Sequence, residues 1–551
     1  ATVLRNDVEH QTKDSSNNFI SITLKGNNLN PDGFGAKVSL YAGGNTQFAE
    51  QNPVRGYLST IAKRLFFGLG KIRLIDSVVV VWPNDEQQTI KNIPAGKPLV
   101  LVQENATEDA ARQLQTTGSL FTDVASEKNI EFIHKETFFF DYSFQQLLPQ
   151  KYSQLGPFIT HGDINGDGLV DFFVGGAYNQ SGRFFIQQSN GRFRPEDLTN
   201  AEKEQEDLGC LLFDADGDKD LDLFINSGGY EYDAASANYL PRLYINNGKG
   251  SFTISADALP ESIITSAQCI TGADYDGDGD TDLFIGGRVS PNRFPLAPRS
   301  FILENKQGKF ADVTNVVCPE LHAPGMVTAM SWTDFNNDNK PDMVVAGEWM
   351  PIRFFQNGNG KFREVTSSTG LENMSGQWRS LAVSDLDRDG DMDFVAGNLG
   401  LNNRYGVSPK QPITLFAKDI DGNGSVDPIL AYYMVNNNGQ RNLYPAIGRD
   451  QFSSQVPSIK KRYIEHAAFS KDDINNIFTP QDRDGMLTLT CEETRTCWFE
   501  NIGSGKFVKH ALPTAAQFAP VNAIVCTDAD GDGKTDILIA GNEYQSEDMT
   551  G

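Results

Sequence analysis

Two textures of apolar and polar positions divide the chain. Over residues 1–105 apolar residues alternate with polar ones in short runs: Phe19-Ile-Ser-Ile-Thr-Leu-Lys, Ala36-Lys-Val-Ser-Leu-Tyr, Asp76-Ser-Val-Val-Val-Val-Trp-Pro and Pro98-Leu-Val-Leu-Val. A period of two puts every second side chain on one face, so each run predicts a half-buried strand. Together they predict a small antiparallel sandwich or barrel. A polar stretch over 106–119 reads as a linker. From 120 to 551 the strands become apolar throughout, as in Phe172-Phe-Val-Gly-Gly, Leu283-Phe-Ile-Gly-Gly, Met343-Val-Val-Ala-Gly and Ile537-Leu-Ile-Ala-Gly. Such runs suit strands buried on both faces. Between them recur hairpins closed by a Phe, such as Leu243-Tyr-Ile-Asn-Asn-Gly-Lys-Gly-Ser-Phe252 and Trp498-Phe-Glu-Asn-Ile-Gly-Ser-Gly-Lys-Phe507.

Each apolar run follows an acidic loop of one design, with Asp at positions one and nine and Asp or Asn at three and five. The seven copies carry Asp163, Asn165, Asp167 and Asp171; Asp214, Asp216, Asp218 and Asp222; Asp274, Asp276, Asp278 and Asp282; Asp334, Asn336, Asp338 and Asp342; Asp385, Asp387, Asp389 and Asp393; Asp419, Asp421, Asn423 and Asp427; and Asp528, Asp530, Asp532 and Asp536. A repeat of roughly 40–60 residues made of short strands and Gly turns is the signature of a propeller blade. Seven copies predict an all-β chain whose larger part is a seven-bladed β-propeller. The segment 449–478 is charged and free of Gly, and predicts a helical insertion on that propeller.

Crowding three or four carboxylates into one turn costs several kcal/mol unless a cation lies among them. Side chains at positions one, three, five and nine, with the carbonyl at seven, offer an ion only hard oxygen donors, the preference of Ca2+. The bidentate Glu that an EF-hand places at position twelve is missing, and strand rather than helix follows position nine. The loops therefore predict up to seven structural Ca2+ ions. They hold 28 of the chain's 72 acidic residues, and seven ions would bring the formal charge from −25 to −11.

The charge also narrows the partners. A chain this acidic is repelled by nucleic acid and by anionic lipid, and no apolar run is long enough to span a bilayer. Six Cys form no CxxC pair and no Cys/His cluster of zinc spacing, although Cys491 and Cys497 are close enough in sequence for a local disulfide. None of the six His lies in a catalytic motif, and His134 and His161 read as structural. No catalytic residue is assigned. Trp332, Trp349 and Trp378 fall near blade ends, where they either pack between blades or stack on a ligand.

The seven loops with their following strands resemble FG-GAP/VCBS repeats, which also build the propellers of integrin α-subunits. In the front domain, Asp32-Gly-Phe-Gly-Ala-Lys-Val, Gly56-Tyr-Leu-Ser, Phe67-Gly-Leu-Gly and Ile75-Asp-Ser-Val-Val-Val-Val-Trp-Pro resemble the ASPIC/UnbV domain. The combination is similar to large VCBS-repeat surface proteins of Bacteroidota. It implies an exported protein attached to the outer membrane of a Gram-negative bacterium, with signal and anchor outside this chain. Ala1 and Gly551 accordingly read as the ends of a piece of something longer. The function expected is a calcium-stabilised binding or scaffold module. Its partner would be a surface protein complex, such as one built on a TonB-dependent transporter, or a polysaccharide. The alternative is a carbohydrate-active lyase or hydrolase on the same scaffold.

Overall fold

A computed structural model of the chain describes residues 17–54, 60, 62–106, 108–109, 121–199 and 203–544. The chain divides into two compact units, Ala1–Thr122 and Asp123–Gly551. The linker expected over 106–119 and the Gly56-Tyr-Leu-Ser motif lie almost wholly outside the described residues.

The first unit is two sheets face to face. One orders Leu65–Gly70, Asn18–Lys25 and Leu99–Val102; the other is built around Lys37–Ala42 and Leu74–Val81. Alternate residues point inward, so Ile20, Ile22, Val38, Leu40, Val78, Val80 and Trp82 form the core. One pairing departs from the antiparallel expectation. Leu99–Val102 runs parallel to Asn18–Lys25, because the chain reaches that edge by crossing over from the second sheet.

The second unit is the propeller. Four-stranded antiparallel sheets follow one another, each running in chain order from the axis outward. They start with Ile159–Gly162, Glu206–Phe213, Ser266–Ala273, Met326–Thr333 and Ser380–Ser384, and a described pair, Ala523–Thr527 with Asp536–Ala540, comes next. Consecutive innermost strands touch. The second strands Asp222–Gly228, Asp282–Val289 and Asp342–Met350 are buried along their whole length, as continuous apolar runs require. From the second blade to the fifth, the closing Phe of the outer hairpin packs on the preceding blade. Phe252 stacks on Phe184 with ring centroids 4.6 Å apart, and Phe507 stacks on Phe354 at 5.0 Å.

The expectation of one blade per loop is corrected at the sixth loop. The sheet that carries it (Ile413–Lys418, Asp427–Val435, Arg441–Pro445 and Leu487–Cys491) is inserted between the second and third strands of the fifth blade, Asp393–Gly397 and Cys497–Asn501. A spacing of 34 residues between the fifth and sixth loop starts is too short for a four-stranded blade, where earlier starts lie 51 or 60 apart. Short helices between residues 449 and 483, among them Arg449–Gln455 and Ser458–Arg462, pack on this extra sheet through Phe452, Val456, Ile459 and Phe478.

Cys491 and Cys497 fall in different sheets and stand as buried free thiols, each directed at a backbone carbonyl. Among the described residues no helix is long and apolar enough to cross a membrane.

Candidate metal centres

Six of the acidic loops join the end of a blade's first strand to the start of its second, so they share one face of the propeller; the sixth joins Ile413–Lys418 to Asp427–Val435 in the inserted sheet, where Gln145 bridges the Val426 carbonyl to that of Phe294, beyond the second strand of the third blade. Backbone amides draw each loop into a coil around its first carboxylate. In the third loop Asp274 Oδ1 accepts from the Gly277 amide at 2.7 Å and Oδ2 from the Gly279 amide at 3.1 Å. The second loop repeats this with Gly217 and Lys219 on Asp214, and the seventh with Gly531 and Gly533 on Asp528. Position three accepts from the amide at five, and five from the amide at seven. Gly277 and Gly279 have φ of +81° and +97°, backbone that side chains with a Cβ rarely adopt, which is why Gly recurs there.

The coil brings carboxylates together. In at least four loops, three of them offer oxygens within 4.8 Å of one another: Asp214, Asp216 and Asp218; Asp274, Asp276 and Asp282; Asp385, Asp387 and Asp393; and Asp419, Asp421 and Asp427. An all-oxygen donor set of this size and flexibility fits Ca2+. The first, fourth and seventh loops keep the fold of the coil with an Asn at position three or a Lys beside the donors. Asp163 is joined by Asn165, whose Oδ1 accepts from the Asp167 amide at 2.9 Å. In the fourth loop Asn336 donates to Asp342 at 2.8 Å, above Asp334 and Asp338. In the seventh, Lys534 lies 2.8 Å from Asp532 beside Asp530 and Asp536.

Position nine also anchors the loop to its blade. Asp171, Asp222, Asp282, Asp342, Asp393 and Asp427 are all fully buried. One oxygen of Asp282 accepts from the Asn305 amide at 2.8 Å and the other from Tyr275, so the carboxylate ties the loop to the third strand of its own blade. Burial, reinforced by the neighbouring aspartates and opposed by these amides, raises Asp282 and Asp342 to about 7 in the ion-free chain. The same causes raise Asp222 and Asp427 to about 6.

A set of asparagines that the loop pattern does not contain completes the design. Asn246, Asn305, Asn357 and Asn501 each end a third strand and use the side-chain amide to reach the preceding blade. Their Nδ2 atoms donate to the carbonyls of Ile164 (2.8 Å), Ala215 (2.9 Å), Tyr275 (2.8 Å) and Phe335 (3.0 Å), the second residue of the previous acidic loop in every case. Each Asn thus links two loops in successive blades. At the sixth loop, in the inserted sheet, Gln455 from the helix Arg449–Gln455 takes over and donates to Asp427 at 2.8 Å. The repeated Asn before each hairpin turn was visible in the sequence, but its partner lies a blade away.

The opposite face holds a different chemistry. At the ends of the second strands, Arg288 Nη2 lies 2.7 Å from Glu348 Oε1 with both side chains buried, and Arg379 approaches the same oxygen at 3.4 Å. Burial pushes the Glu348 carboxyl up, but the two guanidiniums outweigh it and hold the group below its ordinary value. Beside this knot lies a cavity of about 400 Å³ lined by Trp349, Tyr405, Phe518, Gln377, Asn402 and Asn403, among others. Trp349 has φ of +61°, a conformation that costs a bulky residue roughly 1–3 kcal/mol. Of the other tryptophans, Trp378 is fully buried and Trp332 stacks on Tyr275 between blades, so both are packing residues.

Comparison with known proteins matches residues 26–108 to the ASPIC and UnbV family, and residues 163–225, 214–285 and 334–396 to FG-GAP-like repeats. A segment of 63 residues is 38% identical to cartilage acidic protein 1 of Xenopus tropicalis, covering 11% of this chain and 10% of that protein. The chain therefore spans about a tenth of the length of that relative. Among solved structures, the biofilm matrix protein Bap1 of V. cholerae aligns with 12% identity and a TM-score of 0.27 over 71% of this chain and 78% of its own. A fucose-specific lectin from Aleuria aurantia aligns with 8% identity and a TM-score of 0.27 over 78% and 95%. Likenesses this loose say nothing about function. The two family matches, together with the propeller and its loops, identify the chain as an FG-GAP repeat protein with an ASPIC/UnbV domain.

Proposed function

We propose that this chain is a calcium-stabilised extracellular binding module whose ligand is a saccharide, held on the propeller face opposite the acidic loops of the blades. FG-GAP repeats mark a binding or scaffold module, and the cavity beside Trp349 is the observation that carries the finer reading. Aromatic rings with amide side chains around them are what sugar recognition uses: flat apolar faces for the ring carbons, and amides for the hydroxyls. The strained backbone at Trp349 supports a role beyond packing, since strain of this kind persists where the surroundings impose it. The six acidic loops of the blades lie at the other end of the strands, so their ions would order the blades without touching the ligand. Loops of this type, with calcium affinities in the micromolar to millimolar range, are filled where calcium is abundant, which suits export to a cell surface.

A carbohydrate-active enzyme on the same scaffold is the second reading. Glu348, the buried carboxylate of the cavity, is held ionised between Arg288 and Arg379 and has no proton to give as a general acid. That favours binding over turnover.

The test is a panel of bacterial and host polysaccharides presented to the whole chain in millimolar calcium. Binding is expected, and Phe518→Ala with Tyr405→Ala should weaken it at least about tenfold, the loss of one or two aromatic contacts, while Phe518→Ala alone, at an exposed ring, leaves the melt unchanged. Failure to bind any glycan, together with co-purification of a stoichiometric membrane partner such as a TonB-dependent transporter, would replace this reading with that of a scaffold subunit. Release of soluble sugar products would replace it with the enzyme.

A further inference from the structure

A second cluster of potential metal ligands lies away from the acidic loops. His134 and Glu136 come from the segment that precedes the first blade, Glu206 opens the first strand of the second blade, and Glu231 follows that blade's second strand. His134 Nε2 lies 2.7 Å from Glu136 Oε1. A ring nitrogen of His134 and one oxygen each of Glu136 and Glu206 fall within 4.8 Å of one another.

Glu206 is only 5% exposed, and neither of its carboxylate oxygens has a hydrogen-bond partner; the Nδ1 atom of His134 is also buried without one. A buried carboxylate with no donor is costly unless a cation or a proton sits beside it. Burial, with Glu231 and Glu136 adding to it, pushes the Glu206 carboxyl well up. Lys203 is near, but its ammonium is engaged by Asp207 at 2.7 Å and by the Gly176 carbonyl at 3.0 Å.

The backbone leaves room for the cluster. A Cβ on Gly229 would stand 2.3 Å from Glu231 Oε2 and 2.7 Å from Glu206 Oε2, so these two oxygens converge over a glycine. A Cβ on Gly156 would stand 2.9 Å from His134 Nε2.

We infer that His134, Glu136, Glu206 and Glu231 form a binding site for one divalent transition metal of the zinc class, distinct from the calcium loops. An imidazole nitrogen among carboxylates is the donor set Zn2+ takes and Ca2+ avoids. The ion would neutralise the buried carboxylates and fasten the segment leading into the propeller to its second blade. The ligands come from three separate stretches of chain, which is why no zinc spacing marks them in the sequence.

The test uses the whole, tag-free chain in millimolar calcium, so that the acidic loops are filled, and titrates Zn2+ by calorimetry. One high-affinity site is expected. The isosteric Glu206→Gln should weaken it by roughly 100-fold or more, since losing a direct ligand costs at least as much as losing a supporting residue. Co2+ added to the unaltered chain should give the intense visible bands of a low-coordinate site with a nitrogen ligand, a readout independent of any variant. The inference is overturned if no Zn2+ binds above the calcium background, or if Glu206→Gln binds it as tightly. It is equally overturned if Co2+ shows only the weak bands of an all-oxygen octahedral site.

Discussion

Excess EDTA is expected to lower the melting temperature of the calcium-loaded protein by roughly 10 °C or more. An ion that binds only the folded state adds about 2.7 kcal/mol when its free concentration is a hundredfold above Kd, and several loops act on one cooperative unit. The Asn bridges make the effect collective. Asn305 donates its backbone amide to Asp282 and its side-chain amide to the preceding loop, so disorder in one loop loosens the next blade.

The loss should depend on pH with a definite sign. In the ion-free chain Asp282 and Asp342 are raised to about 7 and Asp222 and Asp427 to about 6, above the value of about 3.9 for an unfolded Asp. A raised folded pKa contributes stability that is full below the unfolded value and lost as pH rises through the folded one. In EDTA the melting temperature should therefore climb as pH is lowered from 8 to 5, as protons take the place of the ion. In millimolar calcium the curve over that window should be flat. Scanning calorimetry in both buffers checks this, and parallel curves would remove the ions from the loops.

Arg288→Met is expected to destabilise the propeller by about 3 kcal/mol, the lower end of the cost of stripping one partner from a buried ion pair. Arg288 donates to Glu348 at 2.7 Å and to Gln268 at 3.1 Å and lies over the Tyr152 ring. Its removal leaves the Glu348 carboxylate, at zero exposure, with Arg379 at 3.4 Å as its remaining countercharge. The value falls at the lower end because Arg379 stays. Adding Glu348→Gln to Arg288→Met removes the uncompensated charge and should restore part of the stability, which a double-mutant cycle in urea reads directly. A loss under about 1 kcal/mol would mean that water reaches this knot and screens it.

Much of the fold was legible because its determinants are local. A strand buried on both faces, such as Met343-Val-Val-Ala-Gly, needs an unbroken apolar run, and a metal coil needs its donors at fixed spacing; both leave marks within ten residues. The inserted sheet left almost none. Its strands look like blade strands, and only the close start of the loop at Asp419 and the long stretch before Asp528 record that the chain departs and returns. The same limit applied to the sites. Asp282 was readable as a candidate ligand, but the bridge from Asn305 to Ala215 joins residues a blade apart. The cavity at Trp349 and the cluster at Glu206 are assembled from distant stretches, so each required the folded chain. Trp378 and Trp349 look alike in sequence and both are buried, and only the folded chain shows that Trp349 also borders a cavity.

The most direct test of the structural-calcium reading is a count of bound ions. The whole chain, stripped with chelator and dialysed against millimolar calcium, is assayed by elemental analysis beside Asp276→Ala/Asp278→Ala, which disarms the third loop. The expected result is several Ca2+ per chain, up to the seven loops present, with one fewer in the variant and a third blade more open to protease. Fewer than one ion per chain, or the same count in both proteins, would contradict it.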